Sequence, residues 1–354
     1  MTTRRRLLKY SILAGAAATA GATLFPRKAN AYYSGPISDH FNGEQFFNPG
    51  RSHPQNFGRL LHLYFREAWA KWPGALPSPF SDRPPPRVTG TRIRVSFVGH
   101  ASWLIQTGGL NLLVDPHWSD RASPVNFTGP RRANPPGIDF EHLPPIDVVL
   151  VTHNHYDHMD IPTLARLWVR DRPLLVTPLG NDTIVKSEVS GYAARALDWG
   201  DTIDLAPGIR AHVVPTEHWS ARGLRDRRHA LWASFILDTP AGRIYCVGDS
   251  GLGDGSTFRH VARAFPGVRL ALLPIGAYEP RWFMRGQHMN PEDAVEALVL
   301  SGATQALGHH WGTFQLTTES HDQPPRDLAL ALNARSIDPQ RFKPVQPGEA
   351  IEIE

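Results

Sequence analysis

Residues 146–160 read IDVVLVTHNHYDHMD, in which an apolar run leads directly into a cluster of histidine and aspartate side chains. The apolar run predicts a buried strand, and alternate residues at a strand end project to the same side. His153 and His155 can therefore bind one ion, because zinc and similar divalent ions accept imidazole nitrogens and carboxylate oxygens as ligands. Asp157 and His158 lie one step further along and can turn toward a second ion. The stretch predicts one half of a site for two metal ions.

Three further side chains of the same chemical types follow other strand-like runs. His218 in VVPTEHWS, Asp249 in YCVGDSG and His310 in ALGHHWGTF each come a few residues after an apolar segment. Loops at strand ends carry function on a rigid sheet, so these side chains can meet the first cluster at one edge of a layered fold. Each of them alone could equally be an ordinary hydrogen-bonding residue. The repeated context favours a shared metal site.

Several longer strings resemble the metallo-β-lactamase superfamily and, within it, the N-acyl-phosphatidylethanolamine-hydrolysing phospholipase D family. They span roughly residues 90–320 and are GHASWLI from Gly99, DPHWSDRASPVNFTGPRR from Asp115, LPPIDVVLVTHNHYDHMD from Leu143, PIGAYEPRWFMRGQHMNPEDAV from Pro274 and HHWGTF from His309. The YEPRWFM and HWGTF strings are far more specific than the histidine motif. The resemblance implies an α/β (α+β) fold, an αββα sandwich of two mixed β-sheets flanked by helices, with the metal loops along one edge.

The resemblance also implies two zinc ions per chain and assigns their ligands. These are His153, His155 and His218 for one ion, Asp157, His158 and His310 for the other, and Asp249 as the bridge. His310 is assigned rather than His309 because it directly precedes WGTF. Ser250 departs conservatively from the threonine more usual in the family. We expect His100 and His309 to support the ligands through hydrogen bonds, as metal-bound groups usually require.

Five residues are predicted to act on the substrate. Asp157 and Asp249 lie close enough to the ions to orient a hydroxide. His288, in RGQH, matches a family histidine near the metals and is expected to contact the phosphate or protonate the leaving group. Gln287 beside it is a predicted substrate contact, and Tyr156 in the first loop is predicted to face the substrate.

The chemistry of such a site indicates hydrolysis. Two ions can share a hydroxide, which supplies a nucleophile near neutral pH, and can neutralise charge on a phosphoryl oxygen. The resemblance implies a phospholipase D-type phosphodiesterase that cleaves N-acyl-phosphatidylethanolamine, or a related lipid, to phosphatidate and an N-acylethanolamine. A lactonase or carboxylic ester hydrolase on the same metal core is the alternative enzyme. A non-catalytic, zinc-dependent lipid-binding protein of the cell envelope is the alternative of another class.

Residues 1–31 have the layout of a twin-arginine signal peptide. TRRRLLK from Thr3 is followed by an apolar stretch at 11–25 and by ANA at 29–31, a small-x-small cleavage pattern. We predict cleavage before Tyr32 and export to the periplasm or cell envelope. A retained membrane anchor is the alternative, but the apolar stretch is shorter than the roughly 18 to 20 residues that a spanning helix requires.

Residues 32–90 form a predicted N-terminal extension before a hydrolase domain at 91–354. The extension ends in a proline-rich linker, LPSPFSDRPPPR, at 76–87. Apolar residues at helical spacing predict an amphipathic helix whose apolar face holds Phe57, Leu60, Leu61, Tyr64, Ala68, Trp69 and Trp72. Packing on the sandwich and contact with lipid are both consistent with such a face.

Composition indicates one large enzyme domain with a substantial core. Of 354 residues, 41% are hydrophobic and 20% are charged. Cys246 is the only cysteine in the sequence, so a disulfide framework is excluded, and we expect this residue to be buried. The net charge of +4 is modest and implies anionic substrates or lipid rather than nucleic acid. The oligomeric state is left open.

Further strands are predicted at 92–98, 102–107, 110–114, 174–176, 209–214, 231–237, 244–247, 270–273 and 303–307. Helices are predicted at 161–169, 291–300 and 326–334, and Asn290 is predicted to cap the second of them.

Overall fold

The computed structural model describes residues 30–51 and 57–353, so nearly all of the predicted leader lies outside the described residues. In the described chain, fourteen strands form two seven-stranded sheets. The strands are β1 Ile93–Gly99, β2 Ser102–Thr107, β3 Leu110–Val114, β4 Val148–Leu150, β5 Leu174–Pro178, β6 Ala194–Leu197, β7 Thr202–Ala206, β8 Ile209–Val214, β9 Ser234–Asp238, β10 Arg243–Cys246, β11 Val268–Pro274, β12 Gln305–His309, β13 Phe342–Pro344 and β14 Ala350–Ile353.

Both sheets are mixed and are built in the same way. The first has the order β14-β1-β2-β3-β4-β5-β6, and the second has the order β13-β12-β11-β10-β9-β8-β7. In the first sheet, the neighbours β14, β1, β2 and β3 pair antiparallel, and β3, β4, β5 and β6 pair parallel. In the second sheet, β7, β8, β9 and β10 pair antiparallel, and β10, β11, β12 and β13 pair parallel. Consequently β1, β3 and β4 end at one edge of the first sheet, and β8, β10 and β12 end at one edge of the second.

Helices cover the outer faces of the two sheets. They are α1 Phe57–Arg66, α2 Ile161–Arg170, α3 Asn181–Glu188, α4 Ser256–Ala264, α5 Arg281–Met284, α6 Pro291–Ser301 and α7 Gln323–Ala334. One apolar core, which includes Phe97, Trp103 and Phe235, lies between the sheets. A second core lies between the second sheet and its helices, and a third lies between the first sheet and its helices. The predicted αββα sandwich is confirmed, and the predicted burial of Cys246 in the central core is confirmed as well.

The cap predicted for α6 is present. Asn290 accepts a hydrogen bond from the backbone N–H of Asp293, and the Asp293 carboxylate accepts one from the backbone N–H of Asn290. Pro291 occupies the first turn, where its missing N–H costs no hydrogen bond. This reciprocal cap fixes the start of α6 close to the loop that carries His288.

Several boundaries differ from the prediction. The strand predicted at 231–237 begins only at Ser234, because residues 230–233 form a buried connection that shares the apolar composition of the strand. Helices α3 and α4 and the edge strands β6, β7, β13 and β14 were not predicted. Their sequences are short and mostly polar on the exposed side, so hydrophobic periodicity gives little signal.

The amphipathic helix of the extension is shorter than predicted. It ends at Arg66, so Ala68, Trp69 and Trp72 lie beyond it and do not extend its face. The Trp72 indole N–H instead donates to the Glu319 carbonyl oxygen at 2.9 Å. Among residues 30–51 and 57–353, no helix combines the length and apolar character needed to cross a bilayer.

The rest of the extension is fastened to the sandwich. The Asn48 side chain donates to the Thr216 carbonyl oxygen at 2.8 Å, next to the predicted ligand His218. In the proline-rich segment, the Gln106 amide donates to the Pro85 carbonyl oxygen at 2.8 Å, and Asp82 pairs with Arg94 on β1. The segment predicted as a linker therefore packs along the first sheet.

Candidate metal centre

Each predicted ligand loop follows the carboxyl end of a strand, and these ends meet at one edge of the sandwich. His153 and His155 come after β4, His218 after β8, Asp249 after β10 and His310 after β12. Because β8, β10 and β12 run in the same direction within their sheet, their loops open on the same side. The two sheets thus place the loops opposite one another.

The first group of side chains surrounds His155. Its Nδ1 lies 2.9 Å from His153 Nε2 and 3.2 Å from His218 Nε2. Asp249 Oδ2 lies 3.8 Å from His153 Nε2 and 3.5 Å from His218 Nε2. These four residues offer ligand atoms within 4.8 Å of one another. They are the three imidazoles assigned to one ion together with the assigned bridge.

The second group surrounds Asp157. Its Oδ2 lies 3.6 Å from His158 Nε2, 3.3 Å from His310 Nε2 and 2.9 Å from His100 Nε2. All four ligand atoms again lie within 4.8 Å of one another. His158 and His310 are almost completely buried. Side chains separated by about 150 positions in sequence therefore converge on one point.

Asp249 stands between the groups. Its Oδ2 lies 3.2 Å from His158 Nε2, and its Oδ1 lies 3.1 Å from His310 Nε2. The same carboxylate faces His218 of the first group. Only 2% of Asp249 is exposed, and such burial is tolerated when a carboxylate is surrounded by cationic partners. The position is the one that a bridging ligand requires.

Unsatisfied polar atoms indicate that the residues fit metal ions. Within the described chain, His158 Nε2, His310 Nε2 and Asp249 Oδ1 are buried without a geometrically acceptable hydrogen bond. Buried polar atoms normally have partners, and several orphans aimed at one place require an explanation. Nitrogen and carboxylate donors of this kind suit zinc and similar divalent ions.

Three imidazoles of the first group are held neutral. Burial lowers the pKa of His155 to about 3 and that of His218 to about 4, because a charged ring would lose its hydration. Burial also lowers the pKa of His153 well below its usual range. The neutral ring is the form that binds a metal.

The second group has the opposite electrostatics. Burial disfavours charge on His158 and His310, yet Asp249 and Asp157 outweigh it, raising the pKa of His158 well above its usual value and that of His310 to about 9. Burial alone would raise the pKa of Asp157 and Asp249, but the surrounding imidazoles lower both. The carboxylates therefore need positive charge, which divalent ions would supply.

Asp115 is a site residue that the sequence analysis missed. Its Oδ2 lies 2.8 Å from His158 Nδ1, and the Thr152 hydroxyl and backbone N–H both donate to its carboxylate at 2.7 Å. The contact orients the His158 ring and leaves Nε2 facing Asp249. Its position directly after the apolar run 110–114 is the same strand-end signal that revealed the ligands.

The predicted supporting residues behave differently. His100 contacts Asp157 Oδ2, as expected of a residue that holds a ligand, and its carbonyl oxygen accepts from the His310 backbone N–H at 2.6 Å. Both ring nitrogens of His309 lack hydrogen-bond partners among the described residues. The hydrogen-bonding role predicted for His309 is therefore not seen, because its ring points into the central core beside Trp103.

The predicted substrate contacts also diverge. His288 lies at the site, with Nε2 3.9 Å from Asp249 Oδ2, and forms a third group with Asp249 and His310. The Gln287 side chain is buried and donates to the Met284 sulfur at 3.7 Å. The backbone carbonyl oxygen of Gln287 lies 3.0 Å from His218 Nδ1. Gln287 is thus placed to orient His218 rather than to reach a substrate with its amide. The Tyr156 hydroxyl donates to the Arg222 carbonyl oxygen.

Comparisons with known proteins agree with this architecture. The beta-lactamase superfamily domain matches residues 110–311. The N-acyl-phosphatidylethanolamine-hydrolyzing phospholipase D 1 of Caenorhabditis elegans is 35% identical over 267 residues, which cover 73% of this chain and 75% of that protein. The mitochondrial enzyme of the same name from Saccharomyces cerevisiae is 32% identical over 239 residues, covering 65% of this chain and 51% of that protein.

A solved structure supports the fold. Igni18, a metallo hydrolase from the archaeon Ignicoccus hospitalis, superposes with a TM-score of 0.55 at 20% identity over 75% of this chain and 99% of its own. The chain is therefore a metal-dependent hydrolase that belongs to the metallo-β-lactamase superfamily and, within it, to the N-acyl-phosphatidylethanolamine-hydrolysing phospholipase D family.

Proposed function

We propose that the protein is a dinuclear zinc hydrolase that cleaves N-acyl-phosphatidylethanolamine, or a closely related phospholipid, to phosphatidate and an N-acylethanolamine. The observation that carries the proposal is the position of Asp249 between two groups of ligand atoms. The 35% identity to a nematode enzyme named for this reaction supports the choice of substrate.

The assigned ligands would hold the ions in two sets that share Asp249. His153, His155 and His218 would hold one, and Asp157, His158 and His310 the other. When bound, two such ions make a water molecule more acidic and neutralise charge on a phosphoryl oxygen. A single ion would use only one of these two groups of buried ligand atoms.

The side chains have separate tasks in the reaction. The pKa values of Asp157 and Asp249 are lowered, so both carboxylates stay ionised and would accept hydrogen bonds that orient the attacking water. The water oxygen forms a bond to phosphorus while the bond from phosphorus to the ethanolamine oxygen breaks. That oxygen leaves with a proton as the N-acylethanolamine. His288 is close enough to contact the phosphate or to deliver this proton.

The experiment uses the chain that begins at Tyr32, reconstituted with zinc, and N-acyl-phosphatidylethanolamine in micelles. In water labelled with heavy oxygen, attack on phosphorus places the label in phosphatidate and none in the N-acylethanolamine. Label in a released fatty acid would instead indicate a carboxylic ester hydrolase, and turnover of a lactone alone a lactonase. Two bound ions with no turnover of any ester would indicate a lipid-binding protein.

The route to the membrane is a separate part of the proposal. We propose export by the twin-arginine pathway to the periplasm or cell envelope, on the basis of the sequence pattern at 3–31. This route carries folded proteins, so the metal centre would be assembled before export. Loss of envelope localisation after replacing Arg5 and Arg6 by lysine, with cytoplasmic levels unchanged, would support it. Unaltered localisation would contradict it.

A further inference from the structure

The loop that follows His218 carries a group of arginines that the proposed reaction does not use. Residues 219–228 read WSARGLRDRR. Arg227 and Arg228 are both half-buried, and Arg225 is exposed. The loop is attached to the extension, since the backbone N–H of Phe46 donates to the Arg228 carbonyl oxygen at 2.8 Å. The arginines are therefore part of the folded structure beside the metal centre.

Arg227 is one aromatic ring away from a predicted metal ligand. Its guanidinium carbon lies 4.0 Å from the centre of the Trp219 ring. The same indole also contacts His155, whose ring centre is 4.5 Å from that of Trp219. When a guanidinium lies over an aromatic ring, its N–H groups point outward in the guanidinium plane, and they remain free to bind an acceptor.

The donors of this group lack acceptors. Within residues 30–51 and 57–353, no carboxylate pairs with the guanidinium of Arg227 or Arg228. Arg228 Nε and the Trp219 indole nitrogen are buried with no hydrogen-bond partner in the same part of the chain. Burial and the neighbouring charge of Arg228 lower the pKa of Arg227 to about 10. Two adjacent cations withdrawn from water normally have an anionic partner.

Arg222 in the same loop shows what a structural arginine looks like here. Its guanidinium donates to the carbonyl oxygens of Asn154 and Met159 at 2.9 and 2.8 Å. Those bonds fasten the loop to the first ligand segment. Arg227 makes no comparable bond among the described residues, although it is equally withdrawn from solvent. A purely structural role accounts for Arg222 and leaves the cation of Arg227 unexplained.

We propose that Arg227 and Arg228, with Trp219, form a subsite for a second anionic group of the substrate, distinct from the ester that is cleaved at the metals. The subsite takes a carboxylate or phosphate attached to the N-acyl or headgroup side of the lipid. A lipid with this second anion is therefore a better substrate than its counterpart without it. The inference rests on the proposed function, because it names the substrate class of that site.

The test compares lipids that differ only by this anion. N-succinyl-, N-glutaryl- and N-dodecanedioyl-phosphatidylethanolamine are each paired with the fatty-acyl lipid of similar length. The native protein should give about tenfold higher kcat/KM for the anionic member of at least one pair, the scale of a charge-assisted hydrogen bond. Arg227→Gln should remove this difference in kcat/KM between the two lipids of a pair. Arg225→Gln, which removes an equal charge from the exposed part of the loop, should keep it.

Binding separates this inference from the proposed function. Calorimetric titration of Asp249→Asn, with and without Arg227→Gln, measures lipid binding without turnover. Binding of the anionic lipid that depends on Arg227, together with no hydrolysis of either lipid by the native protein, would support the subsite and refute the proposed reaction. Equal binding of both lipids, or a preference that survives Arg227→Gln, would overturn the subsite. Free succinate binding as tightly as the anionic lipid would also overturn it, since the site would then serve free anions.

Discussion

The two halves of the metal centre are built differently. In the half around His155, three imidazoles are neutral, and the uncharged Gln287 backbone carbonyl and Thr152 hydroxyl contact His218 and His153. In the half around Asp157, a carboxylate replaces one imidazole, and Asp115 and His100 hold the ligands from behind. More negative charge and more fixed geometry favour a divalent cation. We therefore expect the half around Asp157 to bind its ion more tightly.

The largest effect is expected when Asp249, the carboxylate that both halves share, is replaced. Asp249→Asn should lower kcat/KM for phosphodiester hydrolysis by roughly a thousandfold, the scale of losing a group that acts in the transition state. Asp254→Asn is the matched control, because Asp254 lies five residues further on, is exposed and pairs with Arg51. Steady-state kinetics on both variants provide the comparison. A loss below tenfold in Asp249→Asn would place the reaction elsewhere.

The next effect reduces the difference in metal affinity between the two halves. Asp115→Asn weakens the contact that orients His158, so the affinity for the more tightly held ion should fall about 10- to 100-fold. The other ion should be unaffected. Competition with a fluorescent chelator measures both affinities, with Asp204→Asn on the exposed edge strand β7 as control. A uniform loss of both ions would mean that Asp115 supports the whole fold rather than one half.

A smaller effect concerns the backbone that carries His310. A Cβ atom on Gly276 would lie 2.0 Å from the His310 carbonyl oxygen, so the two segments can approach only when this residue is glycine. Gly276→Ala should lower the free energy of unfolding by about 1 to 3 kcal/mol, as overpacking does. Gly74→Ala is the control, because no atom lies within 4 Å of its Cβ position. Urea denaturation measures both, and equal stabilities would contradict the close approach.

The smallest effect contrasts two adjacent histidines. The His309 ring makes no hydrogen bond within the described chain, so His309→Leu should change the free energy of unfolding by less than about 1 kcal/mol and leave metal content intact. His310→Leu removes a ligand and should lose the ion held by Asp157. Elemental analysis with thermal unfolding distinguishes the two variants. Metal loss in His309→Leu would show that this ring supports the ligands after all.

Much of the site could be predicted from the sequence, because each ligand follows an apolar run that is visible locally. The run 146–151 locates His153 and His155, and similar runs precede His218, Asp249 and His310. The direction in which the loops open depends on strand order, which the sequence alone does not give. The family resemblance implied an αββα sandwich with the metal loops along one edge, and the two mixed sheets confirm the sandwich.

The remaining features depend on contacts between distant segments. Asp115 acts through a hydrogen bond to His158, 43 residues away, and its position at a strand end does not reveal that partner. Gln287 was predicted from its position beside His288, but the turn of the backbone aims its carbonyl oxygen at His218 and buries its amide. The early end of α1 at Arg66 was missed because the apolar spacing continues past it while Trp72 bonds to Glu319.

The number of metal ions per chain tests the shared carboxylate most directly. Native mass spectrometry of the chain that begins at Tyr32, reconstituted with zinc, should count two ions in the native protein. Asp249→Asn should hold at most one, since its amide cannot bridge two cations as a carboxylate does. One ion in the native protein, or two in the variant, would contradict a centre built around Asp249.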